Sequence, residues 1–143
     1  MYIDAHNLFD DNAQHLTTEA STNLIDLGVA RDMGAGETIY FVIQVDTAFT
    51  DSSSNSTMAI TLETDDNASF SSATTAQTIG TFAALAAAGT RLIAKLQPSA
   101  INERYLRVKY TVANGDLSTG KFTAFLTKDI DAFTAYPDGI TIS

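Results

Sequence analysis

The sequence predicts an all-β protein, an antiparallel jelly-roll sandwich of about eight strands with a short N-terminal arm. Segments in which apolar and polar residues alternate recur at short spacing, and no stretch has the period of a long amphipathic helix. The segments between them are rich in Ser, Asp, Asn and Gly, as turns are. This pattern indicates a sandwich or a barrel. The jelly roll fits the strand count best, although an immunoglobulin-like sandwich has the same pattern.

The elements follow from this pattern in chain order. Residues 1–14 lack a period of two and are expected to form an arm, and residues 15–143 are expected to form a single sandwich domain. No linker or internal repeat marks a second domain. The predicted strands are residues 22–27, 38–45, 57–63, 77–81, 90–96, 104–112, 121–127 and 140–142.

Two of these strands have faces that can be assigned directly. Met58, Ile60 and Leu62 alternate with small or polar residues, so this strand is expected to bury one face. Residues 39–45 are apolar on both faces apart from Gln44, which is typical of a strand covered on both sides.

Residues 103–128 are interpreted as a β-hairpin. Their first half alternates strictly over ten positions, and the turn residues Asn114 and Gly115 tolerate positive φ. One face of the first strand is predicted to be apolar apart from Arg104. The other face carries Tyr105, Arg107 and Lys109 side by side.

The charge distribution favours a protein partner over nucleic acid. The net charge is −9; residues 1–90 contain one basic side chain, Arg31, and twelve acidic ones, whereas residues 91–143 contain seven basic and five acidic ones. An acidic body repels the phosphate backbone, so we expect no direct nucleic-acid binding. A basic strip on an acidic protein suits a partner of complementary charge, although a solvated sheet face has the same composition.

The residues do not form a recognisable catalytic or metal site. The chain has no cysteine and only two histidines, His6 and His15, which lack zinc-ligand spacing and are interpreted as surface or interface residues. Asp65, Asp66 and Asn67 have oxygens that calcium accepts, but a turn capped by the same side chains needs no ion. We therefore expect no enzyme, no cofactor and no metal.

Other segments exclude further classes. The N-terminus lacks the pattern of a signal peptide, and no apolar segment is long enough to span a bilayer, so we expect a soluble protein without a membrane partner. Three aromatic residues are candidates for a glycan platform, and burial at a sheet edge or a protein interface explains them equally well. They are Tyr40, Tyr105 and Phe125.

Several segments together resemble the capsid cement (decoration) proteins of short-tailed double-stranded DNA phages. They are TNLIDLG (22–28), RDMGAGE (31–37), TIYFVIQVDTAFT (38–50), RYLRVKYTV (104–112) and GDLSTGKFTAFLTKD (115–129). The resemblance extends from the arm to residue 129 and weakens beyond residue 132. It implies a jelly roll that clamps neighbouring major capsid protein subunits from outside the shell, as a homo-oligomer, with dimer and trimer both open.

The sequence therefore predicts a structural virion protein of the outer capsid surface, made in the bacterial host cytoplasm. Its arm is expected to order on docking, with Leu8 and Phe9 as apolar anchors, and Tyr105, Arg107 and Lys109 are the other candidate partner-binding residues. On this view, deletion of residues 1–12 removes shell binding and leaves the sandwich folded. The alternatives are a glycan-binding module, a β-sandwich module elsewhere on the virion such as the tail, and, on fold analogy alone, a small metal-dependent enzyme.

Overall fold

The computed structural model describes residues 3–30, 38–128 and 130. Short 3-10 turns lie at Ala5–Asn7 and Pro98–Ala100. The strands of the described residues are β1 (Leu8–Ala13), β2 (Glu19–Ala20), β3 (Ile25–Asp26), β4 (Tyr40–Thr50), β5 (Thr57–Asp65), β6 (Thr74–Phe82), β7 (Arg91–Lys95), β8 (Tyr105–Ala113) and β9 (Thr119–Thr127).

The strands form two antiparallel sheets that pack face to face. The first sheet has the order β1-β9-β4-β7, and the second has the order β2-β8-β5-β6 with β3 also paired to β8. Among the described strands, β5 and β6 are consecutive in the chain and paired with each other, whereas most other steps along the chain cross from one sheet to the other. This order is that of a jelly roll, and it confirms the predicted fold class.

The faces predicted from alternation are confirmed. Met58, Ile60 and Leu62 of β5 are fully buried between the sheets, and Leu106, Val108 and Tyr110 of β8 join them in the core. In β4, Val42 on the opposite face from Phe41 is also 0% exposed, so that strand is covered on both sides.

The predicted hairpin over residues 103–128 is wrong. β8 pairs with β5, β2 and β3 in the second sheet, whereas β9 pairs with β1 and β4 in the first. The chain does reverse at Asn114 and Gly115, which have φ of 64° and 111°, but the following residues carry it across the sandwich. Leu117 lies in that crossing and is buried in the core. The alternation identified the faces of both strands but not their partners.

The predicted arm over residues 1–14 is also corrected. Leu8–Ala13 forms β1, an edge strand of the first sheet, with two register irregularities against β9. These irregularities remove the period of two on which the sequence prediction relied. The sandwich therefore begins at Leu8 and not at residue 15.

Smaller differences concern strand bounds. The strand predicted over residues 22–27 is only Ile25–Asp26, and β4 continues to Thr50 through a segment predicted as a loop. The predicted strand at residues 140–142 lies outside the described residues.

Candidate functional site

The outer face of β8 carries three of the predicted partner-binding residues. Tyr105, Arg107 and Lys109 are half-buried and alternate with the core residues Leu106 and Val108. We call this row of Tyr105, Arg107 and Lys109 the second-sheet face. The sequence prediction that these three side chains lie side by side is therefore confirmed by their positions on one strand.

Arg107 is engaged within the protein. Its Nε and Nη2 atoms each lie 2.8 Å from Oε2 of Glu63, the residue opposite it on β5. Its guanidinium also lies 4.1 Å from the centre of the Phe70 ring, which is only 8% exposed. Arg107 thus covers an aromatic ring and neutralises a carboxylate, so little of its charge is left for a partner.

Arg104 belongs to a second internal ion pair. Its Nε and Nη2 each donate a hydrogen bond of 2.8 Å to Asp26, and its guanidinium lies 4.8 Å from the centre of the Tyr105 ring. The bidentate contact lowers the pKa of Asp26 to about 2. The sequence placed Arg104 on the apolar side of β8; it lies instead before the strand begins, and its side chain holds β3.

Lys109 differs from both arginines. Its cross-strand neighbours are Thr61 on β5 and Ala20 on β2, and neither is acidic. Among the described residues, Lys109 has no ion-pair partner. It therefore provides the unneutralised charge of the second-sheet face.

The two N-terminal candidates are separated by the pleat of β1. Phe9 is 0% exposed and contacts the Phe41 ring at 6.0 Å between centroids. Leu8 is half-buried on the other side of the sheet, against the Val42 and Phe125 pair. Phe9 is thus a core residue, which is not available to a partner in the folded protein, whereas Leu8 remains on an outer face.

A buried polar cluster surrounds His15, which the sequence had indicated as a surface or interface residue. His15 is 8% exposed, and its ring stacks on Tyr110 at 5.0 Å. Its Nε2 lies 3.1 Å from Asp10 Oδ1 and its Nδ1 lies 2.7 Å from Glu19 Oε2. The buried Asp10 carboxylate also accepts hydrogen bonds from the Thr22 backbone N–H and from the Tyr110 hydroxyl. We call Asp10, His15, Glu19 and Tyr110 the histidine cluster.

These contacts move the pKa values in opposite directions. The hydrogen bond to Asp10 raises the pKa of His15, and the contact with Glu19 adds to it. Burial disfavours the charged form of Asp10, but the hydrogen bonds from His15, Tyr110 and Thr22 outweigh burial and lower its pKa. Burial raises the pKa of Tyr110 well above its ordinary value. The hydrogen bonds of the cluster therefore connect β1, the segment from His15 to Glu19, and β8.

The candidate calcium loop is held by its own hydrogen bonds. The Asp65 carboxylate accepts hydrogen bonds from the backbone N–H groups of Asn67 and Ser72, at 2.9 and 2.8 Å. The Asn67 side-chain oxygen accepts from the backbone N–H of Ser69. Within the described ranges, no three His, Cys, Asp or Glu side chains are placed to hold a metal ion. These side-chain oxygens therefore cap the backbone N–H groups of the turn.

The three aromatic candidates do not form a shared platform. Phe125 is 3% exposed and packs with Val42, and the Tyr105 ring is covered by the Arg104 guanidinium. Tyr40 is half-buried on the first sheet, whereas Tyr105 lies on the second. The three rings therefore do not form one exposed aromatic surface.

A small apolar cavity lies at the end of the sandwich where β3 meets β8. Its volume is about 150 Å³, and its lining includes Ile25, Leu27, Ile39, Leu96 and Leu106. The polar residues of the lining are Asn7, Thr127 and Lys128. This lining contains no acid and no histidine, so the cavity lacks the general base that would activate Thr127 or Lys128 as a nucleophile.

Comparison with known proteins identifies one family. A family model described as Bbp16 matches residues 11–126 of the chain. No curated protein matches significantly. Among solved structures, the chain is similar to the N-terminal CBM22-1-GH10 modules of Clostridium thermocellum endo-1,4-beta-D-xylanase 10B complexed with xylohexaose, with 13% sequence identity and a TM-score of 0.41. That match covers 96% of this chain, which spans 29% of the xylanase chain.

Within the described part of the chain, no helix is long and apolar enough to cross a bilayer.

Proposed function

The chain belongs to the Bbp16 family of phage proteins, and from this premise we propose that it is a structural virion protein that cements the capsid. In this role it binds the outside of the shell and holds neighbouring major capsid protein subunits together. The family match over residues 11–126 supports a phage protein, and the cementing role is our proposal beyond it. It agrees with the resemblance of the sequence to capsid cement proteins and with the jelly-roll order of the strands.

The charge of the protein supports a position outside the shell. With 17 acidic and 8 basic side chains, the chain carries a net charge of −9. The inner surface of a filled capsid faces DNA, whose phosphates repel such a protein. The outer surface imposes no such repulsion.

The two sheets support a bridging role. A protein that cements two subunits needs two contact surfaces, and a sandwich has two outer faces held apart by a rigid core. We assign the second-sheet face, with Lys109 as its unneutralised charge, to one of these contacts. Each contact can be weak, because repetition over many symmetry-related positions on the shell supplies avidity.

We further propose that the protein acts as a homo-oligomer on the shell, as a dimer or a trimer, and without enzymatic activity. A dimer or a trimer can contact two or three times as many capsid subunits as a monomer. Sedimentation of the purified protein over a concentration series measures this state directly. A protein that remains monomeric in solution and on the shell would contradict it.

The experiment that tests the function compares shells with and without the protein. Phage particles are assembled without it, purified, and then supplied with the wild-type protein. We expect the supplemented shells to withstand higher temperature before releasing DNA, and we expect image reconstruction to place the protein outside the shell, between capsid subunits. Equal thermal resistance with and without the protein, or density on the tail instead, would overturn the proposal.

A further inference from the structure

We propose that the outer face of the first sheet docks on an acidic protein surface. This rests on the proposed function, and the acidic surface is then that of a shell subunit. We call this area the first-sheet face. It consists of the outward side chains of Leu8, Phe125, Val42, Ile93, Arg91 and Lys95.

The first-sheet face contains an apolar row that crosses all four strands. The strand register places Leu8 opposite Phe125, Phe125 opposite Val42, and Val42 opposite Ile93. These four residues form a continuous line perpendicular to the strands on the side of the sheet away from the core. An apolar line of this kind on an outer sheet face is unusual, since such a face is ordinarily polar.

The row is covered in its middle and open at its β7 end. Val42 and Phe125 are 0% and 3% exposed, with Leu8 and Ile130 packed against them. Ile93, at the far end on the edge strand β7, is 46% exposed. The accessible part of the row is therefore centred on β7, and this is where a partner would bury additional apolar area.

Cations flank the open end of the row. Arg91 and Lys95 lie two residues before and after Ile93, so all three side chains point to the same side of β7. Their neighbours on β4 are the uncharged Gln44 and Tyr40. Within the described residues, neither cation has an ion-pair partner, in contrast to Arg104 and Arg107 on the second sheet.

This arrangement selects an acidic partner over a second copy of the chain. In a two-fold contact the same patch meets itself, so the cations Arg91 and Lys95 would approach the same two cations of the copy. Charged side chains on an edge strand also oppose pairing with the edge of another sheet. An acidic surface with an apolar centre instead complements both features, the two cations and the isoleucine between them.

Shell binding by matched variants tests the assignment. The double variant Arg91→Gln/Lys95→Gln lowers the net charge by two, and Ser53→Glu/Ser71→Glu lowers it equally at exposed loop positions. Binding to shells that lack the protein is measured by co-sedimentation at low and high salt. We expect the glutamine pair to bind about fivefold more weakly at low salt and to lose most of the salt dependence, because two exposed ion pairs are removed. We expect the serine control to stay within about twofold of wild type.

Two further measurements exclude trivial explanations. Thermal unfolding of each variant establishes that it is folded. Lys95 of the unaltered protein is expected to be protected from acetylation on the shell relative to the free protein, and this does not depend on any variant.

The outcomes are distinguishable. Wild-type protein that does not bind shells overturns the proposed function and this face with it. Wild-type binding that the glutamine pair leaves unchanged, with Lys95 unprotected, overturns the first-sheet face alone. If the serine control weakens shell binding equally, the effect is due to net charge, and the first-sheet face is again overturned. A glutamine pair that alters the oligomeric state in solution makes the face a contact between copies, which contradicts the acidic shell partner.

Discussion

The hydroxyl of Tyr110 donates a hydrogen bond of 2.6 Å to the carboxylate of Asp10, and both side chains are 0% exposed. Tyr110 lies on β8 of the second sheet and Asp10 on β1 of the first. The bond therefore crosses the interior of the sandwich and joins the two sheets. Because His15 contacts the same carboxylate, the N-terminal strand is held by a polar contact as well as by the packing of Phe9.

Removal of the Tyr110 hydroxyl tests this connection. We expect Tyr110→Phe to lower the free energy of unfolding by about 1.5–3 kcal/mol, because a buried carboxylate loses a donor that it cannot replace with water. Tyr105→Phe, on the outer face of the same strand, is the matched control and is expected to change stability by about 0.5 kcal/mol or less. Denaturant unfolding followed by circular dichroism measures both. Equal effects of the two variants would contradict a structural role for the buried bond.

The pH dependence of stability follows from the histidine cluster. The pKa of His15 is raised above its ordinary 6.5, so its contribution to stability is complete below pH 6.5 and is lost as the pH rises through the folded-state pKa. The pKa values of Asp10 and Glu19 are lowered from 3.8 and 4.5, so their contributions are present above those values and are lost as the pH falls through the folded-state pKa values. The folded protein is thus expected to gain most from the cluster between pH 4.5 and 6.5.

Thermal melts between pH 5 and 9 check the alkaline side. Wild-type protein is expected to lose melting temperature as the pH rises above 6.5, whereas His15→Gln should lose less over the same range. His6→Gln, which alters the exposed histidine of the N-terminal turn, is the control and should follow wild type. Parallel curves for wild type and His15→Gln would show that His15 does not carry the dependence.

The N-terminal deletion now has a different expected outcome. Deletion of residues 1–12 removes Phe9 from the core and the carboxylate of Asp10 from Tyr110 and His15. Loss of one buried phenylalanine alone costs about 3–5 kcal/mol, so the shortened protein is expected to be unfolded or strongly destabilised. Deletion of residues 1–4 spares β1 and should leave unfolding close to wild type. A stable, cooperatively folded protein lacking residues 1–12 would show that β1 is dispensable.

The second-sheet face is tested most cleanly at Lys109. Arg107→Glu would place a carboxylate beside Glu63 and uncover Phe70, so lost binding could reflect damage to the fold. Lys109→Glu avoids this, since its neighbours Thr61 and Ala20 are uncharged. We expect about threefold weaker shell binding than for Ser53→Glu/Ser71→Glu, which changes the net charge by the same amount. Unchanged binding would show that the second-sheet face is a solvated sheet surface and not a contact.

Gly120 is required by the packing of Phe49. It has a φ of 146°, and a Cβ at this position would collide with the Phe49 ring. Gly89 also has positive φ, at 87°, but a Cβ there meets no atom within 4 Å. We expect Gly120→Ala to cost about 2 kcal/mol or more beyond Gly89→Ala in denaturant unfolding, because both glycines have positive φ and only Gly120 has the clash. Equal costs would show that Phe49 moves aside freely.

The sequence was sufficient to predict the class of fold and the two faces of the central strands. Alternation placed Met58, Ile60 and Leu62 on a buried face, and the run from residue 39 to 45 predicted a strand covered on both sides. Alternation is a local property of a pleated strand, so it can be seen in a single segment. Alternation did not predict β1, because its pairing is irregular, or β2, because it has only two residues. It also did not predict the histidine cluster, whose residues come from separate segments of the chain.

Only the tertiary structure decided which strands are neighbours. The same alternation in β8 and β9 fits a hairpin and a crossing between sheets equally well, and the choice depends on hydrogen bonds to strands distant in the chain. The strand pairing places Arg104 beside Asp26 and Arg107 beside Glu63, so the charges of these two arginines are neutralised. Among the described residues, Arg91 and Lys95 have no such partner. The strand pairing also brings Leu8, Phe125, Val42 and Ile93 into one row. Composition determined how many charged side chains the protein has. Strand register determined which of these side chains remain available to a partner.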